Sequence, residues 1–243
     1  MITLRDILCM PGAKGVDIDD TSISLENKIP FYYNKIFDDE LHKLHRKFTD
    51  ADYVWLGLDK LKISEEANIT HEDILMMLKR MEQDRIIETI MPKPYCIASL
   101  TVLSRLNPMY FVTSRGDGYY NDPVGMTNRW IENVKREHKN FMPPKVIFNH
   151  KKHDVMDEYN LIALIDDNPL FALNVLETNV KRQKPVYVIL FDSRWNNLSA
   201  NDRFALSDKM FEEKKLVIEK LAIYEGITMV RVKNWCEIFK NCP

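Results

Sequence analysis

Five apolar residues in a row, Leu161-Ile-Ala-Leu-Ile165, run directly into two carboxylates, Asp166 and Asp167, and then Asn168 and Pro169. A strand with one wet face alternates apolar and polar side chains. An uninterrupted apolar run is what a strand buried on both faces requires, as in a parallel sheet covered by helices. Pro185-Val-Tyr-Val-Ile-Leu-Phe191 repeats the pattern. Residues 108–113, 145–148 and 228–232 also read as strands. Residues 127–139, 169–178 and 201–224 read as helices, the first with Trp130, Ile131 and Val134 on one side. This alternation predicts an α/β fold, a doubly wound (Rossmann-like) parallel sheet flanked by helices. Ligands of such sheets bind at the carboxyl ends of the strands.

Residues 26–98 have another texture. They are dense in Lys, Glu, Asp, Leu and Met and hold a single glycine, Gly57. Segments 38–48 and 70–87 read as helices. Thr70 is the expected N-cap of the second, with Glu72 and Asp73 in its first turn. Ile74, Leu75, Met77, Leu78 and Met81 form its 3.6-residue stripe, and Met76, Met77 and Met81 are expected in packed core. The expected division is an α/β core of residues 1–25 and 99–243 with a mainly helical insert at 26–98.

Bulk properties exclude several function classes. The 243-residue chain is 45% apolar and 29% charged, ordinary for a globular protein. Its formal net charge of -2 disfavours a nucleic acid as an electrostatic partner. Cys9, Cys96, Cys236 and Cys242 lack C-x-x-C spacing and read as reduced thiols of a cytoplasmic protein. No apolar run approaches the ~20 residues of a membrane span. The segment Met1-Ile-Thr-Leu-Arg-Asp-Ile-Leu8 does not read as a secretory leader. The histidines lack H-x-x-x-H spacing, which argues against zinc.

Polar groups stand where the predicted strands end. In Gly15-Val-Asp-Ile-Asp-Asp-Thr-Ser22, Asp17 and Asp19 flank one side chain that points away, so both face one crevice. One can attack phosphorus while the other handles a proton. Thr113 and Ser114 follow the next strand, Lys152 lies in His150-Lys-Lys-His-Asp154, and Asp166 and Asp167 end the apolar run. Asp17 and Asp166 offer hard oxygen ligands suited to Mg²⁺. The Thr113 hydroxyl and nearby N–H groups can hold phosphate oxygens, and Lys152 can neutralise charge. Each piece has a plainer reading: an acidic turn, the start of a loop, a solvated basic face in which Lys151 competes with Lys152, or a helix N-cap at 166–169. Arg115 reads either as a second substrate contact or as a surface arginine.

In order, Asp17-Ile-Asp-Asp-Thr21, Phe111-Val-Thr-Ser-Arg115, Lys152 and Leu164-Ile-Asp-Asp-Asn-Pro169 resemble the four motifs of the haloacid dehalogenase superfamily. Within it the chain is similar to the pyrimidine 5'(3')-deoxyribonucleotidase group. The double aspartate closing with Asn-Pro, Lys152-His-Asp-Val155 ahead of it, Asp192-Ser-Arg-Trp-Asn196 and Arg231-Val-Lys-Asn-Trp235 carry that likeness. The resemblance implies that Asp17 is the nucleophile and a Mg²⁺ ligand. It implies that Asp19 is the general acid/base and binds Mg²⁺ through its backbone carbonyl. Thr21, Thr113, Ser114 and Arg115 would bind phosphate or substrate, Lys152 would stabilise the phosphate, Asp166 would ligate the metal, and Asp167 would support it. The 26–98 insert falls where the superfamily places a cap. Its Phe31, Tyr32, Tyr33 and Trp55 read either as base-stacking rings or as cap core.

The expected function is therefore a Mg²⁺-dependent phosphomonoesterase acting on a small-molecule phosphate ester, foremost a nucleoside monophosphate. Another phosphate ester, a nucleic-acid end, or non-catalytic nucleotide binding are the alternatives; no membrane partner is expected, and a homodimer is left open. One departure stands out. The first strand, Gly12-Ala-Lys-Gly-Val16, is polar and glycine-broken, so it is expected either to be short or to have its pairing supported by Ile7, Leu8 and Met10.

Overall fold

The computed structural model describes residues 1–242 except 27, 39–41, 43, 54–56, 117, 183 and 184, and only the backbone of 179–182 and 194. Six strands form one sheet: β1 (Ala13–Val16), β2 (Met109–Thr113), β3 (Lys145–Phe148), β4 (Leu161–Asp166), β5 (Tyr187–Phe191) and β6 (Met229–Val232). All neighbours pair in parallel, in the order β3-β2-β1-β4-β5-β6. The chain leaves β1 toward β2 and β3, then returns to its other side for β4. The switch point of the topology thus lies between β1 and β4, where a doubly wound sheet opens its ligand crevice.

Helices flank the sheet. Near the N-terminus α1 (Leu4–Cys9) is closed by a Thr3–Asp6 capping box and buries Ile7 and Leu8. The helices α6 (Cys96–Leu106) and α12 (Trp235–Asn241) pack on each other and on β2 and β6. A second layer over β2, β4 and β5 consists of α8 (Lys152–Glu158), α9 (Pro169–Arg182) and α11 (Asp208–Ala222). Between α6 and α8 in sequence, α7 (Pro123–Glu137) starts at an Asp122 cap with Pro123 at its first position and buries Trp130, Ile131 and Val134.

The central strand β1 is the polar segment the sequence left weak, and its oddities have local causes. Lys14 is fully buried, yet its Nζ donates to the Met10 carbonyl at 2.7 Å and the Gly12 carbonyl at 3.3 Å. Burial pushes its ammonium down to about 8. Gly15 lies under Val112, Leu161 and Leu164, whose side chains come within 3.0–3.3 Å of where a Cβ would stand. Any side chain there would require these neighbours to shift.

Between β1 and α6 the described elements are helical: α2 (Lys28–Phe37), a 3₁₀ turn at Leu58–Lys60, α3 (Lys62–Glu66), α4 (His71–Gln83) and α5 (Ile86–Thr89). The first of these corrects the expectation at 38–48, whose described residues hold no helix. The helix lies upstream because Ile29, Tyr32, Tyr33 and Phe37 make the buried stripe and Pro30 is tolerated in a first turn. The Thr70 cap is present as a capping box with Asp73, but the expected 70–87 helix breaks at Arg85, which has φ 55. Met77 and Met81 are core, whereas Met76 is 51% exposed. The expected 201–224 helix is also two pieces, α10 (Ala200–Ala205) and α11. Leu206 stays extended, buried and bridged to Leu61, so tertiary packing overrides local helix propensity.

Candidate functional site

Asp17 follows β1 and Asp166 ends β4, and the register sets Val16 beside Ile165. The Asp17 N–H continues the ladder onto the Ile165 carbonyl at 2.9 Å. Two carboxylates 149 positions apart in sequence therefore meet at the switch point because their strands are paired neighbours. Lys152, the first residue of α8, stands between them. Its Nζ donates to Asp17 Oδ1 at 2.5 Å and to Asp166 Oδ2 at 2.7 Å, and it lies 4.7 Å from the centre of the Phe171 ring. All three side chains are buried. Lys151, the competing lysine, is exposed.

Asp167 completes the floor. It accepts from the Thr21 hydroxyl at 2.7 Å and from the Trp195 indole N–H at 2.5 Å. One carboxylate oxygen each from Asp17, Asp166 and Asp167 lie within 4.8 Å of one another. Burial pushes the Asp17 carboxyl up to about 7; Lys152 opposes the shift, and Asp166 and Asp19 add to it. Burial, followed by the charges of Asp166, Asp17 and Asp20, holds Asp167 well above the usual carboxylate range. Fully ionised, three buried carboxylates against one ammonium would leave surplus negative charge that burial makes costly. An all-oxygen donor set with that surplus fits a hard divalent cation such as Mg²⁺.

Asp19, two residues after Asp17, lines the same cavity and is partly open. Arg115 grips it with Nε and Nη2 and turns its Nη1 to the Thr127 hydroxyl at 3.0 Å. Arg115 is 3% exposed, so it is neither a surface arginine nor a free arm. Ser114 lines the cavity beside it. Thr113 and Thr21 are buried: the Thr113 hydroxyl accepts from the Arg115 N–H at 3.3 Å, and that of Thr21 is spent on Asp167.

These groups floor a cavity of about 520 Å³ whose walls come from both textures of the chain. Tyr53, Leu58, Asp59, His71, Ile74 and Leu78 contribute from the helical segment, Tyr119 and Tyr120 from the loop after β2, and Phe171 from the first turn of α9. Sequence patterns pointed to few of them. Of the rings that read either as base-stacking or as cap core, Tyr32 and Tyr33 are core: Tyr32 donates to Asp84 and Tyr33 shares a hydrogen bond with Ser64. Phe31 is exposed, and Trp55 lies outside the described residues. Tyr53, which no pattern singled out, donates to Asp20 Oδ2 at 2.8 Å and meets the Trp195 ring edge-on. Asp20 also accepts from the Leu25 N–H, and burial pushes it up to about 6. Glu82 of α4 holds the chain behind Tyr120 by accepting from the Asn121 and Asp122 N–H groups, both at 2.7 Å. A second carboxylate beside Asp19 was the only sequence signal for Asp20; single tyrosines in loops carried none.

Among the described residues no helix is long and apolar enough to cross a membrane, and the four cysteines are free thiols. No family model matches the sequence, and neither does any curated protein. Among solved structures, a haloacid dehalogenase-like family hydrolase from Streptococcus pneumoniae is similar with a TM-score of 0.51 at 13% identity, over 88% of this chain and 99% of that one. A haloacid dehalogenase-like hydrolase from Burkholderia xenovorans LB400 gives 0.47 at 11% identity, over 87% and 98%. One from Xanthomonas campestris gives 0.42 at 13%, over 88% and 97%. At such identity the likeness is one of fold, and the chain shares the α/β fold of the haloacid dehalogenase-like hydrolase from Streptococcus pneumoniae.

Proposed function

We propose that the protein is a Mg²⁺-dependent phosphomonoesterase working through an aspartyl-phosphate on Asp17, with a nucleoside monophosphate as its substrate. The observation that carries this reading is the Lys152 ammonium bonded to both Asp17 and Asp166 on the floor of a cavity, with Asp167 in reach and Asp19 at its rim. Mg²⁺, which Asp17, Asp166 and the Asp19 backbone carbonyl would hold with Asp167 in support, would offset negative charge on the floor and polarise the phosphoryl group.

The chain's own groups do the rest. Lys152 orients the Asp17 carboxylate and neutralises charge on the phosphate. An Asp17 oxygen attacks phosphorus, and the ester P–O bond breaks. Asp19 gives a proton to the departing alkoxide, then takes one from the water that cleaves the aspartyl-phosphate. A dehalogenase needs no acid for a leaving alkoxide, so the presence of Asp19 favours ester hydrolysis. Ser114 and N–H groups of the loop after β2 hold phosphate oxygens.

Residues 26–98 act as a cap over a core of 1–25 and 99–243, keeping water from the reacting atoms. A volume of about 520 Å³ suits a small organic ligand. Tyr53, Tyr119, Tyr120 and Phe171 offer flat apolar surface for a base. Phosphate release from a nucleotide panel with Mg²⁺ tests the reading. Activity is expected from wild type and not from Asp17→Asn; equal turnover by that variant overturns the mechanism.

A further inference from the structure

Six carboxylates line the cavity: Asp17, Asp19, Asp20, Asp59, Asp166 and Asp167. Among the described lining residues the permanent cations are Arg115 and Lys152. Both are buried and already engaged, Arg115 by Asp19 and Thr127, Lys152 by Asp17 and Asp166. On the proposed reading, the phosphoryl group of a substrate would be matched on the floor by Lys152 and a divalent ion. Away from the floor no permanent cation among the described lining residues remains for a second anion. The helical segment presents the reverse charge. Asp59, on the 3₁₀ turn that follows the left-handed Gly57, lines the cavity with its side chain 20% exposed. His71 Nδ1 lies 3.9 Å from Asp59 Oδ2 and lines the same wall.

We propose that Asp59, with His71 beside it, selects phosphate esters whose alcohol is neutral or cationic and rejects those whose alcohol carries a second anionic group. This inference rests on the phosphomonoesterase reading of the same cavity. Its physical basis is a wall carboxylate in a confined, partly desolvated space, where like charges repel far more than in bulk water. The same carboxylate accepts hydrogen bonds from hydroxyl, amide or ammonium groups of the alcohol. Rejection by a misplaced like charge is a common route to specificity.

Matched esters test it. Glucose, glucosamine and gluconate phosphorylated on the same terminal carbon differ in the charge of the alcohol at nearly constant size. A nucleoside monophosphate and the same nucleoside carrying a second phosphate on another sugar hydroxyl form a further pair. With Mg²⁺ at fixed ionic strength, kcat/KM is expected to be at least about tenfold lower for each anionic member than for its neutral or cationic counterpart. Asp59→Asn is expected to narrow that ratio and Asp59→Lys to narrow it further; if the lysine variant does not fold, the asparagine variant decides. Equal wild-type kcat/KM across each set overturns the inference alone, as does a ratio unmoved by Asp59→Asn. Absence of turnover on every ester overturns the phosphatase reading, and this inference with it.

Discussion

Arg115 holds Asp19 with two parallel donors, Nε to Oδ2 at 2.8 Å and Nη2 to Oδ1 at 2.6 Å, from a guanidinium almost wholly buried. A planar fork fixes the carboxylate plane, which a lysine ammonium cannot do. Arg115→Lys is expected to lower kcat by about 10- to 100-fold, because misplacing the proton-transfer group costs on that order. KM should move less. Steady-state kinetics on the best substrate decide it, and an unchanged kcat would show that the fork does not position Asp19 for the reaction.

Lys152 bonds two buried carboxylates at once. Lys152→Met leaves both without their cation. In the presence of a chelator this is expected to cost about 3–5 kcal/mol of stability, the range for breaking a buried pair. Denaturant unfolding measures it. Turnover should fall by at least about 100-fold, the scale of losing one preorganised charge-stabilising group.

The acidic floor makes stability depend on pH and metal together. Burial raises Asp17 to about 7 and Asp20 to about 6 in the folded protein, above their unfolded values. A raised carboxyl binds more protons folded than unfolded, so its contribution is fully present below the unfolded value near 4 and lost as pH rises through 6 to 7. With a chelator, Tm should therefore decline across that window. Mg²⁺, binding only the folded state, should raise Tm more at pH 8 than at pH 5. A Mg²⁺ shift that is equal at both pH values contradicts this account.

Gly15 has side chains from both neighbouring strands where its own Cβ would stand. Gly15→Val is expected to destabilise by about 1–3 kcal/mol, the cost of overpacking a core. Urea unfolding reads it, and a loss under about 0.5 kcal/mol would mean that the neighbouring strands yield easily.

Strands β4 and β5 were legible because a doubly buried strand must be apolar without interruption, and the edge strand Lys145–Phe148 is placed residue for residue. The β1 segment was readable only through the carboxylates at its C-terminal end. Its lysine and glycine conceal a central strand, and the carbonyls that receive Lys14 Nζ exist only once the preceding turn has folded. Of the helices, α1, α2, α3, α6, α8 and α12 went unread as such. The 201–224 segment looked continuous because Leu206 suits a helix; its pairing with Leu61 lies far away in the chain.

Asp17, Asp19, Lys152, Asp166 and Asp167 could be found in advance, since each follows or ends a recognisable strand or sits beside a motif. That order of polar groups after apolar runs is a local property, and the sequence by itself determined it together with the parallel α/β sheet. The tertiary structure alone decided that Arg115 turns inward to Asp19 rather than out to solvent, and that Tyr53, Asp59 and His71 rather than Tyr32 and Tyr33 wall the cavity. The physical reason is that a strand end is set by its own neighbours in sequence. The partner of a buried charge, and the face a loop side chain presents, depend on contacts between segments tens to hundreds of residues apart, whose pairing no local pattern encodes.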